Sequence, residues 1–256
     1  MCLIAFRWQP GSAVPLQLMG NRDEFHARPT APLAAWDDAP HLVGGRDLEA
    51  GGSWLATNRQ GRVATLTNVR DPALVTAPGA PSRGHLVSQA LECDDIAAWL
   101  DQLAEGEAAK YAGFNLLVAT PDQLWYLHRG REQLSLWQVS PGVHGLSNAA
   151  LDTPWPKLQS VKAALTQTDP LQFPDPTLPA FKDPRTAPVS ALPDTGVGRE
   201  LEHQLSAAFI VGERYGTRAT TWLSLARDGE IDITEQRFGP GGTFEGDTTL
   251  TIPCER

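Results

Sequence analysis

The chain has 256 residues and a formal net charge of −9, with 41% hydrophobic and 20% charged residues, a balance that fits one large globular domain or two small ones. An acidic chain without a Lys/Arg cluster excludes an electrostatic nucleic-acid binder, which needs a basic face to neutralise phosphates. No stretch approaches the roughly 20 apolar residues of a bilayer span, and the apolar CLIAF start is too short, and lacks the basic lead-in, for a signal peptide.

The first predicted elements are two strands. Residues 2–8 (CLIAFRW) alternate, QPGSAV turns, and PLQLMG at 15–20 returns. The polar run NRDEFHARPT then reads as a loop at the mouth of a site. SWLATNRQGRVATLTN (53–68) reads as a β-hairpin that turns at Gly61. From Arg83 the period changes: Leu86, Ala90 and Leu91, then Ile96, Leu100 and Leu103, fall at helical spacing, with Ser82 and Asp94 or Asp95 as N-caps. Strands return at 114–120, 123–129, 134–139 and 143–148.

Residues 155–166 predict a short helix that accepts Pro156 in its first turn. Seven prolines between Pro170 and Pro193 predict an excursion without regular structure over about 168–198, either an ordered surface segment or a flap that caps a cleft. A helix at 198–209 and a hairpin of 219–227 with 230–238 across Asp228-Gly229 complete the pattern. Segregated runs of strands and helices predict an α+β layered fold, a single domain over 1–256, rather than a parallel βαβ sheet. Three cysteines, Cys2, Cys93 and Cys254, give neither a disulfide framework nor metal-ligand spacing, and predict reduced thiols in a cytoplasmic protein. No metal or cofactor motif is present, and His26 and His128 read as surface or core histidines without haem-ligand spacing.

The chemistry centres on Cys2, which reads either as packing or as a nucleophile. Loss of Met1 leaves a thiol and a free α-amine on one residue, and a partly neutral amine can accept the thiol proton. Two antiparallel strands joined by a turn bring the end of the second beside the start of the first. Asn21, Arg22, Asp23 and Glu24 therefore fall next to Cys2, where a guanidinium favours the thiolate and a carboxylate orients the amine. Asn68 and Asn148, each ending a strand, read either as turn residues or as oxyanion donors. Arg218 reads either as a surface arginine or as a buried ion partner.

The start MCLIAF, the run GNRDEFHARPT, the segment GGSWLATNRQGRVATLTNVRDP and the later GLSNAALDTPWPK together resemble the NRDE family, whose eukaryotic relatives are called transport and Golgi organisation protein 2. That family is similar to N-terminal-nucleophile hydrolases of the choloylglycine hydrolase and penicillin V acylase group. The resemblance implies a four-layer αββα sandwich of two antiparallel sheets. It also implies Cys2 as the nucleophile, Arg22 with Asp23 beside it, Asn68 and Asn148 at the oxyanion, and Arg218 as a late arginine, with Asn21 and Glu24 left to bind substrate. Roles proposed for the family concern haem trafficking and acyl-CoA or lipid handling. The leading expectation is an N-terminal-cysteine hydrolase of a small acyl amide or thioester. A haem or acyl-lipid carrier that keeps the fold without turnover, or a degenerate scaffold, stand as alternatives, and oligomeric state is left open.

Overall fold

The structure is a computed structural model that describes residues 2–255. Strand β1 (Cys2–Trp8) pairs antiparallel with β2 (Leu16–Phe25), with Cys2 opposite Arg22 and Trp8 opposite Leu16. NRDEF is therefore the continuation of a ten-residue strand rather than the expected loop. The reason lies in its neighbours: β1 runs on one side and β11 (Tyr215–Leu225) on the other, and β11 pairs with β2 as far as Phe25. A polar run flanked by two strands keeps its backbone hydrogen bonds inside the sheet.

The second sheet is a meander. It runs in chain order through β3 (Thr30–Trp36), β4 (Ala39–Asp47), β5 (Leu55–Asn58), β6 (Val63–Asn68), β7 (Phe114–Ala119), β8 (Leu124–Arg129) and β9 (Leu134–Gln138). The first sheet is completed by β10 (Gly142–Leu146), β12 (Ile231–Phe238) and β13 (Phe244–Ile252), in the order β10-β1-β2-β11-β12-β13. All pairings are antiparallel.

Strand periodicity decides the layers. Cys2, Ile4, Phe6 and Trp8 face the second sheet, packing with Leu16, Leu18, Val43, Leu55 and Leu117 in the central core. The odd residues Leu3 and Ala5 turn the other way, joining Met19 beneath helix α3 (Pro156–Gln167) with Leu158, Val161 and Leu165. On the far side, α1 (His85–Glu92) and α2 (Ile96–Glu105) lay Leu86, Ala90, Leu100 and Leu103 on Ala64, Leu116 and Val118. Helix, sheet, sheet and helix form four layers. Each fully buried Leu or Phe contributes about 1.5–3 kcal/mol by leaving water.

Several local expectations hold in detail. Asp95 caps α2 by accepting from the Ala98 N–H at 3.0 Å, a contact that contributes about 1 kcal/mol. Ser82 does not cap α1; Gly84 occupies that position without a side-chain bond. The hairpin turn at Gly61 adopts φ +71°, and a Cβ there would lie 2.8 Å from Gly229 Cα, so the Asp228-Gly229 turn packs directly on the first hairpin.

The proline-rich segment does not cap a cleft. It carries a short helix α4 (Leu178–Phe181), and it lies on the outer face of the first sheet with Phe181 fully buried. Gln17 Nε2 donates to Pro170 O at 2.7 Å and Arg7 Nη2 to Thr168 O at 2.6 Å. Its apolar side chains complete the layer that α3 alone is too narrow to cover. A short helix α5 (Arg199–Gln204) follows. No helix is long and apolar enough to cross a membrane, among the described residues.

Candidate active site

A cleft of ≈ 540 Å³ opens where the starts of β1 and the ends of β2 and β6 meet; Cys2, Arg22, Glu24, Trp54, Asn68 and Arg83 are among its walls. Cys2 is 7% exposed, and burial pushes its thiol up to about 11, with Asp23 and Glu24 acting in the same direction and Arg22 against it. Arg22 acts on the thiol in the direction a guanidinium should, and burial outweighs it. Removing the sulfur from water costs the anion more than one guanidinium returns, so a reacting Cys2 must lose its proton to a base.

Arg22 faces the same cleft because it sits in register opposite Cys2. It is 8% exposed, and its Nη1 is buried without a hydrogen-bond partner among the described residues. A buried guanidinium donor left open is costly in a closed core, so this one is poised for something that enters the cleft. Glu24, next on that face, also lines the cleft.

The intervening residues turn to the opposite face. Asn21 donates to Phe181 O and Ala208 O, both at 2.8 Å, and accepts from Thr220 Oγ1 at 2.8 Å. With its amide committed to α4 and the chain near Ala208, Asn21 anchors the helix layer and does not line the cleft. Asp23 accepts from Thr217 Oγ1 at 2.7 Å, and its backbone carbonyl accepts from Tyr215 at 3.2 Å. Burial raises the Asp23 carboxyl, while Lys157, the Thr217 bond and Arg70 pull it down. Asp23 borders the cleft as well, one position past the register partner of Cys2, and acts electrostatically on its thiol.

Behind Asp23 lies a charged group that sequence reasoning missed. Lys157 Nζ donates to Leu205 O at 2.8 Å, and burial lowers it to about 8 against the pull of Asp23. Arg70 pairs with Glu202 at 2.5 Å, the two side chains 6% and 2% exposed, and its guanidinium lies 4.7 Å from the Trp155 ring centre. A signal for Lys157 existed: it falls four and eight residues before Val161 and Leu165, on the buried stripe of α3. Glu235 was legible in the same way, continuing the inward alternation of Ile231 and Ile233 in β12. It lines the cleft, accepts from the Leu33 N–H at 2.9 Å, and is raised by burial.

Asn68 ends β6 and lines the cleft. Asn148 is 1% exposed and spends its Nδ2 on Asn68 O at 2.8 Å, while Asn148 O accepts from the Arg70 N–H at 2.7 Å. Asn148 therefore positions Asn68 rather than facing the cleft itself. Arg218 does reach the cleft. Its Nη1 donates to Thr30 Oγ1 at 3.1 Å and to the carbonyl of Arg28, joining the two sheets at the rim.

Arg218 is also the extra residue of a β-bulge: Thr217 pairs with Asp23 and Ala219 with Arg22. Before it, Thr217 serves Asp23 on the helix side; after it, Leu223 and Leu225 point into the central core. One inserted residue reverses the facing of the strand.

A family model described as Transport and Golgi organisation 2 matches residues 1–240. The transport and Golgi organization 2 homologue of Mus musculus is 31% identical and that of Homo sapiens 32%, each over 261 residues and 92% of both chains. Two variants of the conjugated bile acid hydrolase from Clostridium perfringens share the fold. Their TM-scores are 0.55 and 0.54 at 9% and 8% identity, covering 98% and 99% of this chain and 92% and 93% of theirs.

Proposed function

The chain belongs to the Transport and Golgi organisation 2 family, and from its bile acid hydrolase fold we propose that it is an N-terminal-cysteine hydrolase of an acyl amide or thioester. The observation that carries this is Cys2 at the start of β1 on the cleft wall, with the open guanidinium donor of Arg22 opposite and Asp23 bordering the same cleft. After removal of Met1, which lies outside the described residues, the α-amine of Cys2 takes the Sγ proton as Sγ attacks the carbonyl carbon. Asp23 holds the resulting ammonium, Arg22 offsets the charge near sulfur, and Asn68 donates to the oxyanion, its strand end fixed by Asn148. Collapse expels the amine or thiol, which takes the proton back, and water then releases the acid from the acyl-Cys2 intermediate. Free Cys2, Cys93 and Cys254 suit the reducing conditions of a cytoplasm.

The test is a panel of acyl amides and acyl thioesters given to wild type and Cys2→Ala, with intact mass to follow Met1. Turnover that falls by about a thousandfold or more in Cys2→Ala supports the reading; equal turnover, or full retention of Met1 in an active preparation, overturns it.

A second reading, a haem or acyl-lipid carrier without turnover, draws on the raised and therefore protonated Cys2 thiol. Among the described residues the lining of the cleft supplies no histidine or methionine, so haem ligation there would require Cys2 to give up its proton as iron binds. A Soret shift that Cys2→Ser abolishes, in protein inert on the panel, favours the carrier.

A further inference from the structure

The chain is acidic overall, at −9, yet Arg22, Arg28, Arg46, Arg83, Arg218 and Arg237 all line the cleft. Most of these have work elsewhere. Arg28 is paired with Asp47 and Glu49, Arg46 with Asp38, Arg218 binds backbone carbonyls, and Arg237 donates to Thr248. Like Arg218 and Arg237, Arg22 and Arg83 make no ion pair among the described residues; what sets these two apart is their place beside Cys2, Arg22 in register with it and Arg83 close enough to feel its charge.

Arg83 stands just ahead of α1, on the wall that belongs to the second sheet. Its Nη1 donates to Gly113 O at 3.0 Å, which anchors one edge of the guanidinium and leaves Nη2 and Nε uncommitted. No cleft acid makes an ion pair with it among the described residues, although Glu24 acts on it electrostatically. Asp47 is held by Arg28, Glu235 accepts from the Leu33 amide, and Glu24 caps the Phe25 N–H. Arg22 provides the independent sign that an anion belongs here, because it is 8% exposed, faces the cleft, and keeps a buried Nη1 without a partner. Guanidinium groups recognise carboxylates through paired charge-assisted hydrogen bonds. Ala31, Pro32, Trp54 and Leu66 supply the apolar part of the lining, suited to a few methylenes.

We infer that the substrate carries a carboxylate on its acyl side, a short diacid held as a monoamide or monothioester, and that Arg83 recognises this carboxylate. The acyl side is favoured because it alone stays bound through both half-reactions, and a fixed, partly buried guanidinium can hold it while the leaving group departs and water enters. This inference rests on the hydrolytic reading above and names the substrate class of that same cleft.

The test compares glutaryl-4-nitroanilide with hexanoyl-4-nitroanilide, similar in length and differing in terminal charge, for wild type, Arg83→Gln, Arg83→Lys and the surface control Arg185→Gln. Thermal melts establish that each variant is folded. Wild type and Arg185→Gln are expected to favour the glutaryl compound in kcat/KM by at least about tenfold, the scale of one charge-assisted hydrogen bond. Arg83→Gln should bring the ratio near one while hexanoyl turnover persists, and Arg83→Lys should restore part of it. A wild-type ratio at or below one, or a ratio unchanged in Arg83→Gln, overturns the inference. If neither anilide is cleaved, the hydrolytic reading fails while glutarate binding, followed by NMR titration, still decides this one. Saturable binding that weakens at least about tenfold in Arg83→Gln supports it; no saturable binding to wild type overturns it.

Discussion

The two faces of β2 carry the same kinds of residue to opposite ends. On the helix side, Asn21 spends its amide on two carbonyls and a hydroxyl, and Asp23 sits with Thr217, Tyr215, Lys157 and Arg70. On the cleft side, Arg22 keeps a buried donor open and Glu24 lines free space. A four-letter polar motif thus splits by strand parity into a fastening and a functional surface. The difference teaches that polar burial has two signatures. Asn21, with its amide matched, contributes to the fold, and Arg22 keeps an open donor on the cleft where a ligand can reach it. Arg70 also leaves Nε and Nη2 unpartnered among the described residues, so it is the place on the cleft that makes an open donor a binding mark.

Substitutions on the two faces should therefore fail in different ways. The largest expected loss is in Glu202→Gln, which leaves Arg70 charged and uncompensated in the helix layer; chemical unfolding should show about 3–5 kcal/mol lost. Next comes Asn21→Ala, which strips two buried carbonyls of their donor and should cost about 2–3 kcal/mol in the same measurement. Arg22→Leu should behave in the opposite sense. With no bond to break among the described residues, its stability should stay within about 1 kcal/mol of wild type, while hydrolysis on the acyl panel falls by about a hundredfold. A large stability loss in Arg22→Leu would erase the contrast between the faces.

The smallest effect is in pH dependence, where the faces should pull in opposite directions. The Cys2 thiol is raised from 9.0 to about 11, so its contribution to stability is whole below pH 9 and is lost as pH rises toward 11. Lys157 is lowered from 10.5 to about 8, so its contribution is present above pH 10.5 and is lost as pH falls through 8. Between pH 9 and 10.5 the Cys2 and Lys157 contributions should largely offset one another in the wild type, while buried Tyr126 and Tyr215, both raised, lower the stability of every variant alike. Relative to wild type, the unfolding free energy of Cys2→Ala should rise with pH and that of Lys157→Met should fall, each by about 1 kcal/mol. Parallel profiles for the two variants would show that these groups do not titrate as placed.

Much of this was readable before any coordinates. Alternation in CLIAFRW, the 53–68 hairpin, the helical spacing of Leu86 to Leu103 and the Asp228-Gly229 turn all carried local signals, and each element formed. The neighbourhood of Cys2 and Arg22 followed from hairpin geometry alone. What stayed hidden depended on partners distant in sequence. NRDEF looked like a loop because its polarity is satisfied by Thr217, Thr220, Phe181 and Ala208, some 160 to 200 residues away. Two sheet edges were missed for a different reason. β3 contains Pro32, which an edge strand tolerates and which masks a strand in sequence, and β13 alternates between exposed and half-buried residues with little core contact until Ile252. Arg83 gave no signal, since nothing in its neighbours tells which carboxylates lie opposite. The proline-rich segment took the ordered-surface form of its two expected readings; proline content says that regular structure is interrupted, and is silent on which surface the interruption covers.

The bulge at Arg218 works as a frame marker. Upstream of it the odd residues of β11 serve the helix layer, and downstream the odd residues fill the central core. The side chain there has its own task, since Arg218 reaches Arg28 O and Thr30 Oγ1 across the rim. Removing the residue would leave regular alternation, with Thr217 still opposite Asp23 and Leu223 still facing the core, and would cost the strand its tie to Arg28 O and Thr30 Oγ1. At the bulge, identity is under a stricter constraint than length, because a long side chain with several donors is what fastens one sheet to the other there.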